Sequence, residues 1–269
     1  MNRVMPANAA VASLLLPAAS QRTDIRYAWR GPSMFAVEPD GRAGGHSLTG
    51  YFFRQARFLR DLRLYVCGEP PHPCSIAEVA PNELELTYIH PEVTKGGGGG
   101  SGSGGLESAG GLLFRNLDLR VRYVVRPSSL DVTLLITSRW QDHIDIDLAW
   151  LLSADYASID EAQFGVREQN AGVETESVAN GVAFRYTHPE LRFETRVVGS
   201  GADWRFDGAR LNAAIELPRQ QVTELRLRVE AIDDADPMDA GESARREAKL
   251  EHWYAGIAAL HTPGDTPFA

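Results

Sequence analysis

Apolar and polar residues alternate with a period of two through much of the chain, and this pattern limits the fold more than any other feature. It is strongest in residues 116–125, 143–152 and 223–232, which read NLDLRVRYVV, HIDIDLAWLL and TELRLRVEAI. Such alternation is typical of strands that bury one face and expose the other. Seven weaker segments share it: SMFAVEP, RDLRLYV, ELELTYI, LDVTLLIT, VAFRYTH, LRFETRVV and LNAAIEL.

Turn signals separate these segments, among them Pro127-Ser128, Asn180-Gly181 and Asp207-Gly208. About a dozen short strands with no helical pattern between them favour antiparallel sheets over a parallel one. The sequence therefore predicts an all-β fold, an antiparallel β-sandwich or barrel, of which we expect the sandwich.

The pattern changes near the C-terminus, where apolar residues recur at helical spacing. Asp239 is a good N-cap, and Glu242 three residues later completes the sequence pattern of a capping box. A helix is predicted from about 239 to 260, and it is expected to close the domain. Its apolar positions are Ala244, Ala248, Trp253, Ile257 and Leu260, with Leu250 nearby.

A glycine-rich run, EVTKGGGGGSGSGGLESAGG, occupies residues 92–111. Strand patterns continue on both sides of it, and the N-terminal part has too few large apolar residues to form a core alone. Because closing a long loop costs little more than closing a short one, we interpret 95–111 as a flexible loop within one domain. A tether between two domains and an engineered join are the alternatives.

The expected domain spans residues 26–269, and residues 1–25 form a lead-in segment that could be disordered. The first 20 residues weakly imitate a secretory signal, but their apolar part is short and Pro17 interrupts it. No apolar run reaches the roughly 20 residues that a membrane helix needs. A cytoplasmic location without membrane contact is therefore expected, with secretion as the alternative.

Acidic residues outnumber basic ones by 36 to 27, which gives a net charge of −9. A surface that follows a phosphate backbone needs a basic stripe, so we expect no nucleic-acid partner. Cys67 and Cys74 flank His72 in the stretch CGEPPHPC. We interpret them as two ordinary thiols on a turn, with a disulfide or a metal site as the alternatives, although zinc usually needs four ligands and more closely spaced cysteines. The prediction is that the chain holds no metal and no cofactor.

The first candidate site lies in residues 50–66, GYFFRQARFLRDLRLYV, where arginines recur every third residue among aromatic side chains. Arg54 and Arg57 could grip carboxylates or sugar hydroxyls near an interface. The alternative is a turn leading into a strand, with these arginines and Arg60 solvated or paired.

The second candidate lies in residues 148–165, LAWLLSADYASIDEAQFG, where an apolar strand runs into Asp155, Tyr156, Asp160 and Glu161. Carboxylates beside an aromatic ring suit sugar recognition, or a catalytic pair for glycoside hydrolysis. Acidic residues at a strand end are also common turn formers. Separately, aromatic side chains could stack on sugar rings, and the candidates are Tyr51, Trp150, Tyr156 and Trp204, of which Trp150 fits least because its strand phase places it in the core.

Together, residues 34–64, residues 148–165 and the EHW of the C-terminal helix resemble the N-terminal domain of bacterial glycogen-debranching-like enzymes, the amylo-α-1,6-glucosidase group. In the first stretch Gly50-Tyr51-Phe52 and Arg57-Phe58-Leu59 match the family pattern. In the second, Asp155-Tyr156-Ala157 and Ile159-Asp160-Glu161 match it. The chain departs from the pattern at Gln55-Ala56, where the family usually has Asp-Thr before the arginine.

The resemblance implies a β-supersandwich and a carbohydrate setting, with α-glucans or related oligosaccharides as ligands. Family members continue into an α/α-barrel that carries the catalytic carboxylates. We therefore expect a non-catalytic module that packs against such a barrel, on the same chain or a separate one, and helps shape its α-glucan cleft. The expected substrate or interface residues are Arg54, Arg57, Asp155, Tyr156, Asp160 and Glu161, and none is expected to be catalytic.

Two alternatives remain from the sequence. The chain could be a free-standing protein that binds glucans or oligosaccharides without catalysis. It could also be an active glycosidase that uses Asp155, Asp160 or Glu161.

Overall fold

A computed structural model describes residues 24–45, 48–90, 115–169 and 171–257, without the side chains of residues 240, 242 and 243. The described part contains sixteen strands and two helices. The strands are β1 (Arg26–Arg30), β2 (Ser33–Val37), β3 (Gly50–Phe53), β4 (Ala56–Leu59), β5 (Asp61–Val66), β6 (His72–Ala80), β7 (Glu83–His90), β8 (Leu117–Arg126), β9 (Ser129–Ser138), β10 (Ile144–Ser153), β11 (Val173–Val178), β12 (Gly181–Tyr186), β13 (Phe193–Ser200), β14 (Arg205–Phe206), β15 (Arg210–Leu217) and β16 (Val222–Asp233). The helices are α1 (Ile159–Phe164) and α2 (Ala240–Ala255).

The strands form three sheets, and the named strands pair antiparallel with their neighbours. The largest has eight strands in the spatial order β11-β12-β13-β16-β9-β8-β7-β6. The other two have four strands each, in the orders β14-β15-β10-β5 and β1-β2-β3-β4. The predicted all-β, antiparallel β-sandwich with a C-terminal helix is confirmed.

One contiguous core joins the three sheets. It contains Phe35 from the β1–β4 sheet, Leu64 and Trp150 from the β5–β10 sheet, and Val121 and Leu227 from the large sheet. In β8 the residues Leu117, Leu119, Val121, Tyr123 and Val125 are buried and the intervening residues are partly or fully exposed. The phase predicted from the alternation is therefore the phase that the sheet uses.

The strands on the two sides of the glycine-rich run are direct neighbours. β7 pairs with β8 from Glu83 opposite Val124 to His90 opposite Leu117. The predicted loop at 95–111 lies outside the described residues, as do residues 1–23 of the lead-in segment. Because β7 and β8 both bury side chains in the shared core, the two halves of the chain form one hydrophobic interior.

Helix α2 begins after Asp239, whose side chain accepts a hydrogen bond from the N–H of Gly241 at 3.2 Å. The side chain of Glu242 and the residue Leu260 lie outside the described part, so the capping box stays a prediction. The apolar positions Ala244, Ala248, Trp253 and Ile257 are exposed. The helix therefore does not cover the sandwich as a closing helix would. An ion pair joins Glu247 of the helix to Arg126 of β8 at 3.7 Å.

We expect the two halves to stay together when the chain is cut between residues 96 and 105. A specific protease site inserted between Gly98 and Gly99 leaves intact the eight residue pairs of β7 and β8 and the common core. Gel filtration should give one species of unchanged size, and thermal unfolding should give one transition. The uncut protein with the same insertion is the control, and two fragments that elute and melt separately would contradict the single-domain architecture.

Candidate functional site

The segment after β10 runs back along β4 and brings Asp155 against Arg57. The Arg57 N–H donates to the carbonyl of Ala157 at 2.8 Å, and the Tyr156 N–H donates to the carbonyl of Arg57 at 3.1 Å. Through these two hydrogen bonds, the backbone of residues 156–157 pairs with the edge of β4 without forming a regular strand. Two sequence stretches that lie almost 100 residues apart, the two candidate sites, are thus placed side by side.

Arg57 and Asp155 form a two-pronged ion pair. Nε of Arg57 donates to Oδ1 of Asp155 at 3.0 Å, and Nη2 donates to Oδ2 at 2.6 Å. The Arg57 side chain is only 8% exposed and that of Asp155 is 20% exposed. A buried guanidinium is tolerated only when it is paired, and the parallel arrangement is the strongest available.

Glu161 closes the first turn of α1. Its carboxylate accepts from the N–H of Ser158 at 2.8 Å, and the Ser158 hydroxyl accepts from the N–H of Glu161 at 3.1 Å, which makes a capping box. The other carboxylate oxygen accepts from the N–H groups of Glu168 and Gln169 at 2.6 and 2.8 Å. α1 then ends at Gly165, whose φ of 70° is easy only for glycine.

These contacts keep Glu161 ionised. Burial pushes the pKa of Glu161 upward, but the backbone donors of Gln169, Ser158 and Glu168, with nearby Arg167, outweigh it, so the pKa lies below its ordinary value. Since the folded pKa lies below the unfolded one, Glu161 stabilises the fold at neutral pH, and this contribution is lost as the pH falls through the lowered pKa.

Arg167 lies near the carboxylates of both Asp155 and Glu161, and it was not identified as a site residue from the sequence. Its Nη1 lies 3.7 Å from Oδ2 of Asp155, and its Nε lies 3.9 Å from Oε1 of Glu161. Nη2 also donates to the carbonyl of Asp155 at 2.8 Å. The sequence signal for it is slight: Arg167 is the first cation after the acidic stretch. We call Arg57, Asp155, Glu161 and Arg167 the Arg57 network.

Arg54 belongs to a second cluster. It has a φ of 55° and its guanidinium lies 5.0 Å from the ring centre of Phe53. Nη1 pairs with Asp233 at 2.5 Å, and Nη2 pairs with the carboxylate of Asp236 at 2.9 Å. Asp233 ends β16, so Arg54 holds the chain at the point where it leaves the sandwich towards α2.

The remaining two predicted residues differ in exposure. Tyr156 is 1% exposed, and its hydroxyl donates to the carbonyl of Phe184 at 2.6 Å and lies 3.1 Å from Oγ1 of Thr195. It therefore fastens the segment to β12 and β13 from inside. Asp160 is exposed on α1 and makes no hydrogen bond or ion pair with the described residues.

A groove of about 420 Å³ lies between the Arg57 network and the Arg54 cluster. Its floor is apolar, from Phe53, Phe58, Leu191 and Phe193, and polar groups such as Arg54 and Gln169 stand among its walls. Of the six predicted residues, Arg54 and Tyr156 line this groove. Arg57, Asp155 and Glu161 are brought together behind it, and Asp160 is not part of either group.

The arrangement suits a rigid surface better than acid–base chemistry. Asp155 is held by a paired guanidinium, and Glu161 carries three backbone donors. A general acid needs a raised pKa, which is the opposite of what the surroundings do to Glu161.

The prediction that these aromatic side chains stack on sugar rings is wrong. Tyr51, Trp150, Tyr156 and Trp204 are 0%, 1%, 1% and 2% exposed. Their rings fill the core, so no flat face is available to a ligand. The exposed aromatic residues of the described part are others: Tyr27, Trp29, Phe164, Trp253 and Tyr254 are 57%, 49%, 71%, 60% and 47% exposed. The sequence does indicate that Tyr27 and Trp29 are exposed. They flank Ala28 with the period of a strand, so that only the small alanine side chain points inward.

Cys67 and Cys74 are unbridged thiols. Cys67 lies in a turn, with a φ of 50°, and Cys74 lies exposed on β6 rather than on the expected turn. Within the described ranges, no group of three or more His, Cys, Asp or Glu side chains could hold a metal ion. No helix among the described residues is long and apolar enough to cross a membrane.

A family model described as the N-terminal domain of some glycogen debranching enzymes matches residues 29–228. A comparison with curated proteins found no match.

Several solved structures are similar in outline. A putative aldose 1-epimerase from Escherichia coli K12 has a TM-score of 0.47 at 10% identity, over 77% of this chain and 98% of that one. A putative kojibiose phosphorylase from the human microbiome has a TM-score of 0.46 at 8% identity, over 87% of this chain and 33% of that one. The heparan sulfate lyase HepC from Pedobacter heparinus has a TM-score of 0.35 at 10% identity, over 77% and 34%. Likenesses this weak say nothing about what this chain does.

We expect Asp155→Asn to lower the free energy of unfolding by about 2–4 kcal/mol, because it leaves the buried Arg57 guanidinium without its charge partner. Asp160→Asn is the matched control: it makes the same chemical change on the exposed face of α1 and should stay within about 0.5 kcal/mol of the unchanged protein. Urea unfolding followed by fluorescence measures both. Equal effects of the two substitutions would show that the Arg57 network does not stabilise the fold.

Proposed function

The chain belongs to the family of N-terminal domains of some glycogen debranching enzymes, and from this premise we propose that it is a non-catalytic β-sandwich module. Its surface around Arg54 and α2 packs against a catalytic α/α-barrel and helps shape a cleft for α-glucans. The barrel lies on the same polypeptide or on a separate one. A cytoplasmic location is part of the proposal.

The exposed apolar face of α2 is the observation that carries this proposal. Trp253, Tyr254 and Ile257 are 60%, 47% and 49% exposed on the last turn and just beyond it. A single helix of this length is marginally stable in water unless an apolar face is packed. Large exposed aromatics on such a helix are typical of a surface that another protein body covers.

The Arg54 cluster supports the same surface. Arg54 binds both Asp233 at the end of β16 and Asp236 in the connection that follows. These pairs fix the direction in which the chain leaves the sandwich, and therefore the position from which α2 projects. Arg54 would thus act as a positioning residue for the interface rather than as a contact with sugar.

The Arg57 network would form the rigid edge of the cleft. It holds α1 and residues 165–169 against β4, and Ser158 and Gln169 of this segment stand at the groove beside Arg54. A groove with an apolar floor and polar walls suits either a sugar chain or a loop of the barrel. We propose no glycosidase activity for the chain, because Asp155 and Glu161 are committed to donors and Asp160 stands apart from them.

A photo-crosslinking experiment tests the interface. Trp253 is replaced by p-benzoylphenylalanine in the tagged chain, expressed in its source cell, and illuminated. We expect a covalent product with an α/α-barrel glycoside hydrolase or with a barrel domain of the same polypeptide, identified by peptide mass spectrometry. Arg54→Gln should lower its yield, since α2 then loses its fixed direction.

The same photoprobe at Val222, which is 61% exposed on the large sheet, is the matched control and should give no such product. A folded protein whose Trp253 probe reaches no barrel, or reaches it no better than the Val222 probe does, would remove the proposed interface.

A free-standing glucan-binding protein is the second candidate, and the edge strand β1 favours it. Tyr27 and Trp29 project from the same face, about 7 Å apart along the strand. Arg26 stands beside them and pairs with Asp24 at 2.8 Å and with Glu78 at 3.7 Å. Two exposed rings with charged groups alongside suit successive sugar rings of a chain.

Calorimetry with glycogen and maltooligosaccharides tests this second function. We expect Trp29→Ala to weaken binding by about 2- to 12-fold, since an aromatic contact contributes about 0.5–1.5 kcal/mol beyond its buried area. Trp253→Ala removes another exposed indole elsewhere and should leave the affinity unchanged. Absence of heat at millimolar ligand, or equal losses in the two variants, would exclude β1 as a glucan platform.

A further inference from the structure

A second cavity opens at the edge of the sandwich, away from the groove beside Arg54. It has a volume of about 430 Å³, within the range of pockets that hold small molecules. Its deep end lies where β5 faces β7 and β8, at Leu64, Tyr88, His90 and Tyr123. Its mouth is formed by residues 40–42 and by the proline-rich residues 69–73, which lead into β6.

Among the described residues, none bonds to one polar atom of His90 at the deep end. The residue is 2% exposed, and its Nε2 makes no hydrogen bond within the described ranges. A buried polar group without a partner is costly, and native structures rarely keep one without a reason. Because His90 lines the cavity, a molecule inside it can supply the missing bond.

Two phenol groups stand beside this atom. Tyr123 is 1% exposed and lines the same cavity, and burial raises the pKa of its hydroxyl above the ordinary value. Tyr88 donates its hydroxyl proton to the carbonyl of Asp40 at 3.2 Å and keeps its oxygen as an acceptor. Burial is the main cause that raises the pKa of Tyr88 well above its ordinary value, and the neighbouring Tyr123 adds to the rise. Both phenols are therefore neutral at pH 7.

The deep end of the cavity carries no charge. Burial lowers the pKa of His90 from 6.5 to about 4, so its ring is neutral at pH 7. Arg42 at the mouth is already engaged, with Nε 2.5 Å from Asp40 and Nη2 3.2 Å from Glu38. Asp40 and Glu69 add negative charge at the same mouth. An anionic ligand would therefore meet these carboxylates, and the guanidinium of Arg42 is already paired.

The walls suit a ring with an apolar face. Leu64 and the rings of Pro70, Pro71 and Pro73 line the cavity along with the tyrosines. Few polar groups in a mostly apolar wall are the usual composition of a small-molecule site. A sugar ring combines C–H faces with hydroxyl groups that both donate and accept.

We propose that this cavity binds one or two rings of a neutral sugar, with Nε2 of His90 and the hydroxyl of Tyr123 bonded to ligand hydroxyls. Nε2 can donate or accept, according to which tautomer the ring adopts, and a hydroxyl can satisfy either. The assignment follows from the cavity alone and does not rest on a partner barrel. The competing occupant is ordered water, which can also bond such groups.

Titration of the full chain with glucose, galactose and maltose at pH 7 tests the site, followed by calorimetry and by the shifts of the histidine ring signals. We expect at least one of these neutral probes to bind with a Kd in the millimolar range. Tyr123→Phe removes only a hydroxyl and should weaken that binding by about 2- to 12-fold. His90→Leu should weaken it further, and glucose 6-phosphate should bind at least about tenfold more weakly than glucose.

Tyr65→Phe is the matched control. Tyr65 lies on the opposite face of β5, where the guanidinium of Arg210 is 4.6 Å from its ring centre, and the same loss of a hydroxyl there should leave binding unchanged. If His90→Leu does not fold, Tyr123→Phe decides alone. The proposal is overturned if none of the three neutral probes binds, and water is then the occupant. It is also overturned if Tyr123→Phe binds the sugar as well as the unchanged protein does, or if glucose 6-phosphate binds more tightly than glucose. None of these results depends on the Trp253 crosslink, so this proposal and the proposed interface can fail separately.

Discussion

The burial of inward-facing side chains from three sheets in one core is the constraint on which the rest of this structure depends. A strand can turn only every second residue inward, so each sheet offers one apolar face and needs another to cover it. The core joins Phe35, Trp150 and Leu227 from the three sheets. Because β7 and β8 pair directly and both contribute to that core, the described strands before residue 91 and after residue 114 share one hydrophobic interior.

The same constraint explains why the candidate site is a network of ion pairs. When β4 packs into the core, the side chain of Arg57 is carried to a place that is only 8% exposed. Its charge must then be neutralised locally, and Asp155 does this with two hydrogen bonds while Arg167 links Asp155 to Glu161. A cluster arranged to neutralise a buried cation is a poor source of catalytic protons and a good brace for a surface.

The contrast between the two concave regions follows from what each surrounding element leaves unpaired. At the groove beside Arg54 the charges are paired and the floor is apolar, which suits packing by another body. At the deep end of the cavity between β5 and β7–β8 the polar atoms are uncharged, and Nε2 of His90 has no hydrogen-bond partner within the described ranges. Complete pairing at one place and incomplete pairing at the other give the two regions different chemistry, although the large sheet lines both.

The sequence by itself determined the strand phases of β8, β10 and β16, the all-β class, the start of α2 after Asp239 and the family. These are local properties, since a period of two or an N-cap is set by residues within a few positions of each other. Only the tertiary structure decided that Arg57 meets Asp155 98 positions away and that Arg54 meets Asp233 179 positions away. It also decided that Tyr51 and Trp204 are core residues while Trp253 is exposed. The physical reason is that ion pairing and burial across a sandwich depend on the order in which strands are laid side by side, and no short stretch of sequence contains that order.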